Sequence, residues 1–224
     1  MTFARTDEQR MLADTLDAAL ARGAIDWAGA IEATGLDALG VAEADGGLGT
    51  DLRDAAVVAA RLGRANAALP WAEYWVARRG DASNAAADVL AVLHCAEMVG
   101  LCRTMLRDAA LFAKERHQFG VAIASFQALR HRMADMAMAL EQAEVITGAA
   151  IDALTLGGED AARTVSAARV ICDDAARVVG EGAVQIHGAM GLTAELRVGG
   201  YFRRACALMQ GDGGARAHLA RYAA

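Results

Sequence analysis

Apolar residues recur along this chain at helical spacing almost from its start. Leu12, Leu16, Ala19 and Leu20 fall at i, i+4, i+7 and i+8, one face of a helix predicted over residues 7–21. Thr6 is placed to cap that helix, with Gln9 three residues on as its capping-box partner. A shorter helix is predicted over residues 27–34, broken at Gly35. Gly46, Gly47 and Gly49 mark a loop, because three glycines in four positions cost a helix heavily, and residues 51–63 return to helix. The polar segment RRGDASNAA, residues 78–86, reads as a junction.

Beyond the junction the helices lengthen. The first is expected over residues 87–119 and to close at Gly120, which can take the left-handed conformation of a helix C-terminus. Ser125 can cap a second, running to residue 156; TLGGED at 155–160 is a turn; a third covers 160–186. One or two shorter helices follow the irregular HGAMGLTAE segment. Long helices joined by short loops lie side by side. The expected fold is all-α, with an N-terminal helical subdomain (1–80) and a C-terminal up-and-down four-helix bundle (81–224).

Composition strengthens the helical reading. The 224 residues are 55% hydrophobic, rich in alanine and only 5% aromatic, with the single proline Pro70. Alanine loses no side-chain entropy in a helix, and few prolines interrupt the ladder. No alternating run of β-branched and aromatic residues suggests strands. A net charge of −6 argues against a general nucleic-acid or anionic-membrane binder. Basic residues cluster only locally, at Arg203–Arg204 and Arg130–Arg132, enough for one phosphate-bearing ligand. The most apolar stretch, residues 89–101, carries His94 and Glu97 and is short for a bilayer. The first ten residues are polar and carry charges of both signs, unlike a secretory signal. Cys95, Cys102, Cys172 and Cys206 lack CxxC spacing and read as buried free thiols of a reducing, cytoplasmic compartment. The five histidines show no metal-ligand spacing, so no metal site is expected. Met133, Met136 and Met138 read as packing residues.

Four segments bring a family into view. FAKERHQFGVAIASFQALRHRMADM (112–136) resembles the acyl-CoA dehydrogenase segment bearing R-x-x-F-G and the following F-Q pair. AVQIHGAMGLTAE (183–195) resembles that family's Q-I-x-G-G-x-G-[FY]-T-x-E stretch, and YFRRACAL (201–208) its arginine-bearing helix. GLDALGVAEADGGLGTD (35–51) resembles the N-terminal helical domain. The matches keep the family's order, but family members place a β domain between the N-terminal helices and the bundle. Residues 78–86 leave no room for it.

The resemblance implies contacts to the ADP half of a shared FAD. An arginine beside a turn suits a phosphate or pyrophosphate; in the family's pattern Arg116, Gln118 and Phe119 touch the ADP moiety, with Gln127 nearby. Gln185 and Gly188 reach the cofactor across a subunit interface, glutamine offering both donor and acceptor and glycine close approach. The plainer readings are an exposed arginine beside a packed phenylalanine, and a tight interhelical turn. Ala189 stands where the family usually has a second glycine, and its methyl narrows the approach.

No catalytic residue is assigned. Abstracting the proton α to a thioester needs a carboxylate in a dry site. One family position for that base falls here at Gln210, an amide, and the other near Leu90. Asp88, Glu97 and Asp212 are the nearby substitutes, with Glu97 better read as an arginine partner and Glu195 as structural. The implied function is an acyl-CoA dehydrogenase-like subunit of lipid metabolism, in a homo- or hetero-oligomer with a full-length, β-domain-bearing dehydrogenase subunit acting on an acyl-CoA. The alternative is a non-catalytic helical oligomer that binds no flavin.

Overall fold

The computed structural model describes residues 3–21, 26–41, 43, 46–78, 84–192 and 196–224. Four helices come first: α1 (Asp7–Leu20), α2 (Trp27–Thr34), α3 (Leu52–Ala65) and α4 (Trp71–Arg78). The bundle follows, with α5 (Asn84–Glu115), α6 (Gln127–Leu156), α7 (Ala161–His187), α8 (Val198–Gln210) and α9 (Gly214–Ala223). The all-α expectation holds. The only strands among the described residues are β1 (His117–Gln118) and β2 (Val121–Ala122), paired antiparallel between α5 and α6.

The local signals act as read at the N-terminus. Thr6 accepts from the Gln9 backbone N–H while the Gln9 side chain accepts from the Thr6 N–H, so both halves of the capping box form. Asp51 and Asp54 build a second box at the start of α3. The Gln9 amide donates to Asp54 at 2.9 Å, tying the two caps together. Gly46 and Gly49 take positive φ in the expected loop. Helix α4 was not anticipated: it starts directly after Pro70, whose fixed φ suits a helix entry, and buries Trp71 and Trp75. Residues 79–83, most of the expected junction, lie outside the described residues, as does Glu195.

One apolar core joins the two halves of the chain. Helix α5 is its axis; by length and composition it could cross a membrane, but 72% of its most apolar window is buried within the fold. A helix apolar on all sides is a core helix. Against it α3 approaches closely: a Cβ on Gly63 would collide with the Glu97 carbonyl oxygen, and one on Gly100 with that of Ala60. Thr104 and Tyr201 both donate to the Arg64 carbonyl, at 3.0 and 2.9 Å, fastening the end of α3 to α5 and α8.

Two expectations fail at the end of α5. The helix stops at Glu115, and Gly120 does not cap it. Phe119 and Gly120, with φ of 53° and 80°, form the two-residue connection of the β1–β2 hairpin. Positive φ at both central residues is what a type I′ hairpin turn requires. Ser125 likewise does not cap α6: its hydroxyl donates to the Ala122 carbonyl at 2.7 Å, and Phe126 holds the N-cap position.

Candidate functional site

The hairpin is clamped at its base. The Arg116 N–H donates to the Phe112 carbonyl at 2.8 Å, and the Arg116 carbonyl accepts from the Ile123 N–H at 2.8 Å. The side chain of Arg116 is therefore carried by an anchored backbone at the point where helix becomes strand. It is exposed and has no ion-pair partner among the described residues. Across from it α7 ends at His187, and Gly188 follows at φ 65°, ψ −149°, a region open essentially to glycine alone. Nothing lies within 4 Å of where a Gly188 side chain would start.

Between hairpin and α7 terminus lies a cavity of about 400 Å³, lined by Phe112, Arg116, Gln118, Ile123, Ile186, His187, Gly188 and Ala189. It holds an unpaired cation, an amide and an open backbone over an apolar floor, an arrangement that fits a phosphate ester with an apolar or planar body. Three of the six expected cofactor residues, Arg116, Gln118 and Gly188, share this lining. The other three do not. Phe119 projects from the hairpin tip, 92% exposed, its ring edge-on to Phe126 at 6.2 Å. Gln127 is exposed in the first turn of α6, and Gln185 is exposed in the last turn of α7. His187 has no metal-ligand spacing and reads in the sequence as an ordinary histidine, although its place directly before Gly188 puts it in the same turn. Ala189 also lines this cavity.

The carboxylates weighed as bases are elsewhere and already engaged. Buried Glu97 forms a bidentate pair with Arg204, at 2.6 and 3.0 Å. Burial raises its pKa, against the opposing pull of Arg204 and His94. This pairing also removes Arg204 from the local basic cluster. Asp88 pairs with Arg221 at 2.6 Å. Asp212 accepts from His94 Nδ1 at 2.6 Å and from Arg169 at 2.8 Å. Burial would raise the Asp212 pKa, but His94 and Arg169 together bring it below the ordinary value. Asp88, Leu90, Asp212, His218 and Arg221 line a second cavity of about 310 Å³. A carboxylate held ionised by an arginine and a histidine is a weak base, and Gln210 is exposed. Among the described residues no three His, Cys, Asp or Glu side chains converge as a metal site.

A family model described as acyl-CoA dehydrogenase, C-terminal domain, matches residues 82–224. Acyl-CoA dehydrogenase IpdE2 of Mycolicibacterium smegmatis is 35% identical over 135 residues, covering 60% of this chain and 42% of that protein. The probable acyl-CoA dehydrogenase FadE25 of Mycobacterium tuberculosis is 34% identical over 110 residues, 49% of this chain and 28% of that protein. This chain thus spans less than half the length of these relatives. Among solved structures, butyryl-CoA dehydrogenase from Megasphaera elsdenii matches with a TM-score of 0.59 and 27% identity, over 62% of this chain and 36% of that one. A chain of the ChsE4–ChsE5 complex from Mycobacterium tuberculosis matches with a TM-score of 0.87 over 100% of this chain and 98% of that one, at 14% identity, a likeness of fold.

Proposed function

The chain belongs to the acyl-CoA dehydrogenase family, and from that premise we propose that it is a cofactor-completing subunit. In this reading it helps hold the ADP half of an FAD whose flavin is enclosed by a β-domain-bearing partner. When bound, FAD supplies hydride acceptance in the α,β-dehydrogenation of an acyl-CoA thioester. Arg116 would neutralise the pyrophosphate, Gln118 would hydrogen-bond beside it, and Gly188 would admit the ligand to the backbone. Phe119, standing free at the hairpin tip, would meet the partner or the adenine face, with Gln127 and Gln185 flanking. The α-proton would be taken by a carboxylate of the partner.

The observation that carries this reading is the convergence of Arg116, Gln118 and Gly188 on one cavity while the candidate bases are locked in ion pairs. The likeness in fold to a chain of a two-component complex supports an assembly with a second chain. The test is co-purification with a family member from the same genome that keeps the β domain, read by flavin absorption. Flavin retained by the pair, and weakened by Arg116→Ala, is the expected result. Failure of the chains to associate removes the proposal. Ala189 favours a second reading, because it stands in the lining where the family's pattern has a second glycine. A colourless oligomer, with or without the partner, would establish a non-catalytic helical protein.

A further inference from the structure

His187 is almost fully buried, yet among the described residues one of its ring nitrogens has no hydrogen-bond partner. Nδ1 lies 2.8 Å from the Ala183 carbonyl oxygen. A carbonyl only accepts, so Nδ1 carries the proton, and in the tautomer with that single proton the lone pair sits on Nε2. The ring is held in this pose by Phe112, whose centroid is 4.5 Å away at a 33° tilt. Helix geometry and packing thus both fix the imidazole, and Nε2 has no hydrogen-bond partner among the described residues. The ring lines the same cavity as Arg116, Gln118 and Gly188. An acceptor locked into a cavity wall asks for a donor, because leaving it unpaired in a complex costs its desolvation.

We infer that His187 is a ligand-binding residue that accepts a hydrogen bond, through Nε2, from a hydroxyl or amino donor on an anionic ligand held by Arg116. The inference rests on the reading of this cavity as a nucleotide site, and it specifies the chemistry. The ligand is a phosphate ester with an O–H or N–H donor within reach of its phosphate: a ribonucleotide. A ribose hydroxyl and the adenine 6-amino group are the two sources of that donor. A protonated or Nε2-H ring could not accept, so the Ala183 bond is what makes the site selective for donors over acceptors.

The full chain, alone and with its β-domain partner, is titrated with ADP, deoxy-ADP lacking a ribose hydroxyl, inosine diphosphate and FAD. Imidazole ¹⁵N shifts are followed by NMR in parallel. ADP is expected to move the His187 Nε2 resonance, a readout on the unmutated protein. His187→Phe, which keeps the packing on Phe112, should weaken ADP and FAD about three- to tenfold, the size of one neutral hydrogen bond. His187→Gln, which retains an acceptor, should recover part of the loss. The analogue that binds wild type as poorly as ADP binds the Phe variant identifies the donor, the deoxy compound for ribose and the inosine compound for adenine. If Arg116→Ala weakens ADP while His187→Phe does not and Nε2 does not shift, the inference about His187 fails and the nucleotide site stands. If neither substitution matters, or no nucleotide binds to either preparation, both fall.

Discussion

Arg169 offers the sharpest test of how the bundle is held. Its side chain is fully buried; it bonds Asp173 at 3.0 Å and Asp212 at 2.8 Å, and also the carbonyls of Leu208 and Gly211. One guanidinium therefore joins α7 to the end of α8 and the turn into α9. Arg169→Met removes the charge while roughly keeping the volume. Asp212 retains His94, but Asp173 loses its cation in a site where burial already raises its pKa. Breaking a buried pair from one side costs about 3–5 kcal/mol. At about 2–4 °C per kcal/mol for a chain of this size, Tm should fall by roughly 6–20 °C. Thermal and urea unfolding followed by far-UV circular dichroism measure it. Adding Asp173→Asn in the Met background should return part of the loss, since the stranded charge is then gone. A loss below about 1 kcal/mol, the level of an exposed pair, would refute the account of Arg169 as the bond between these helices.

Other expectations follow from the same structure. Gly100→Ala should destabilise by about 1–3 kcal/mol or more, because its methyl enters the Ala60 carbonyl where α3 and α5 cross; a control Gly148→Ala, half-buried but with nothing within 4 Å of its Cβ position, should not. Gln9→Ala breaks the α1 capping box and the link to Asp54 together, so its cost in urea unfolding should exceed the roughly 1 kcal/mol of a single cap. His94 has a raised pKa: burial lowers it, but Asp212, Glu73 and Glu97 outweigh burial. Its stabilisation is complete below the unfolded value of 6.5 and is lost as pH rises through the folded value. His94→Asn should flatten the decline in stability above about pH 6.5, and an unchanged slope would show that His94 is not its source.

Much of the fold could be read because its signals are local. The Thr6–Gln9 box, the break at Gly35 and the turn at Gly157 each depend on a few adjacent residues, and alanine does the rest. The end of α5 could not be settled that way. Left-handed glycine serves both a helix C-cap and a type I′ turn, and the deciding residue is Phe119, whose positive φ nothing in its side chain announces. Half of the expected cavity lining emerged from the motif, since Arg116 and Gly188 sit at chain reversals. Gln127 and Gln185 lie on helix faces whose rotation the motif does not specify. The polar core was illegible for a different reason. His94 and Asp212 are 118 positions apart, and only tertiary packing makes a lone histidine and a loop aspartate partners.

The α3–α5 crossing bears on how such a chain can be dissected. Because Gly63 and Gly100 bring two backbones into contact, residues 52–65 act as one wall of the bundle. A polypeptide starting at residue 82, where the family match begins, would present a bare apolar trough along α5, and it should self-associate or recruit a surrogate helix. The seam that sequence kinship draws through this molecule runs across a contact in which two helix backbones touch.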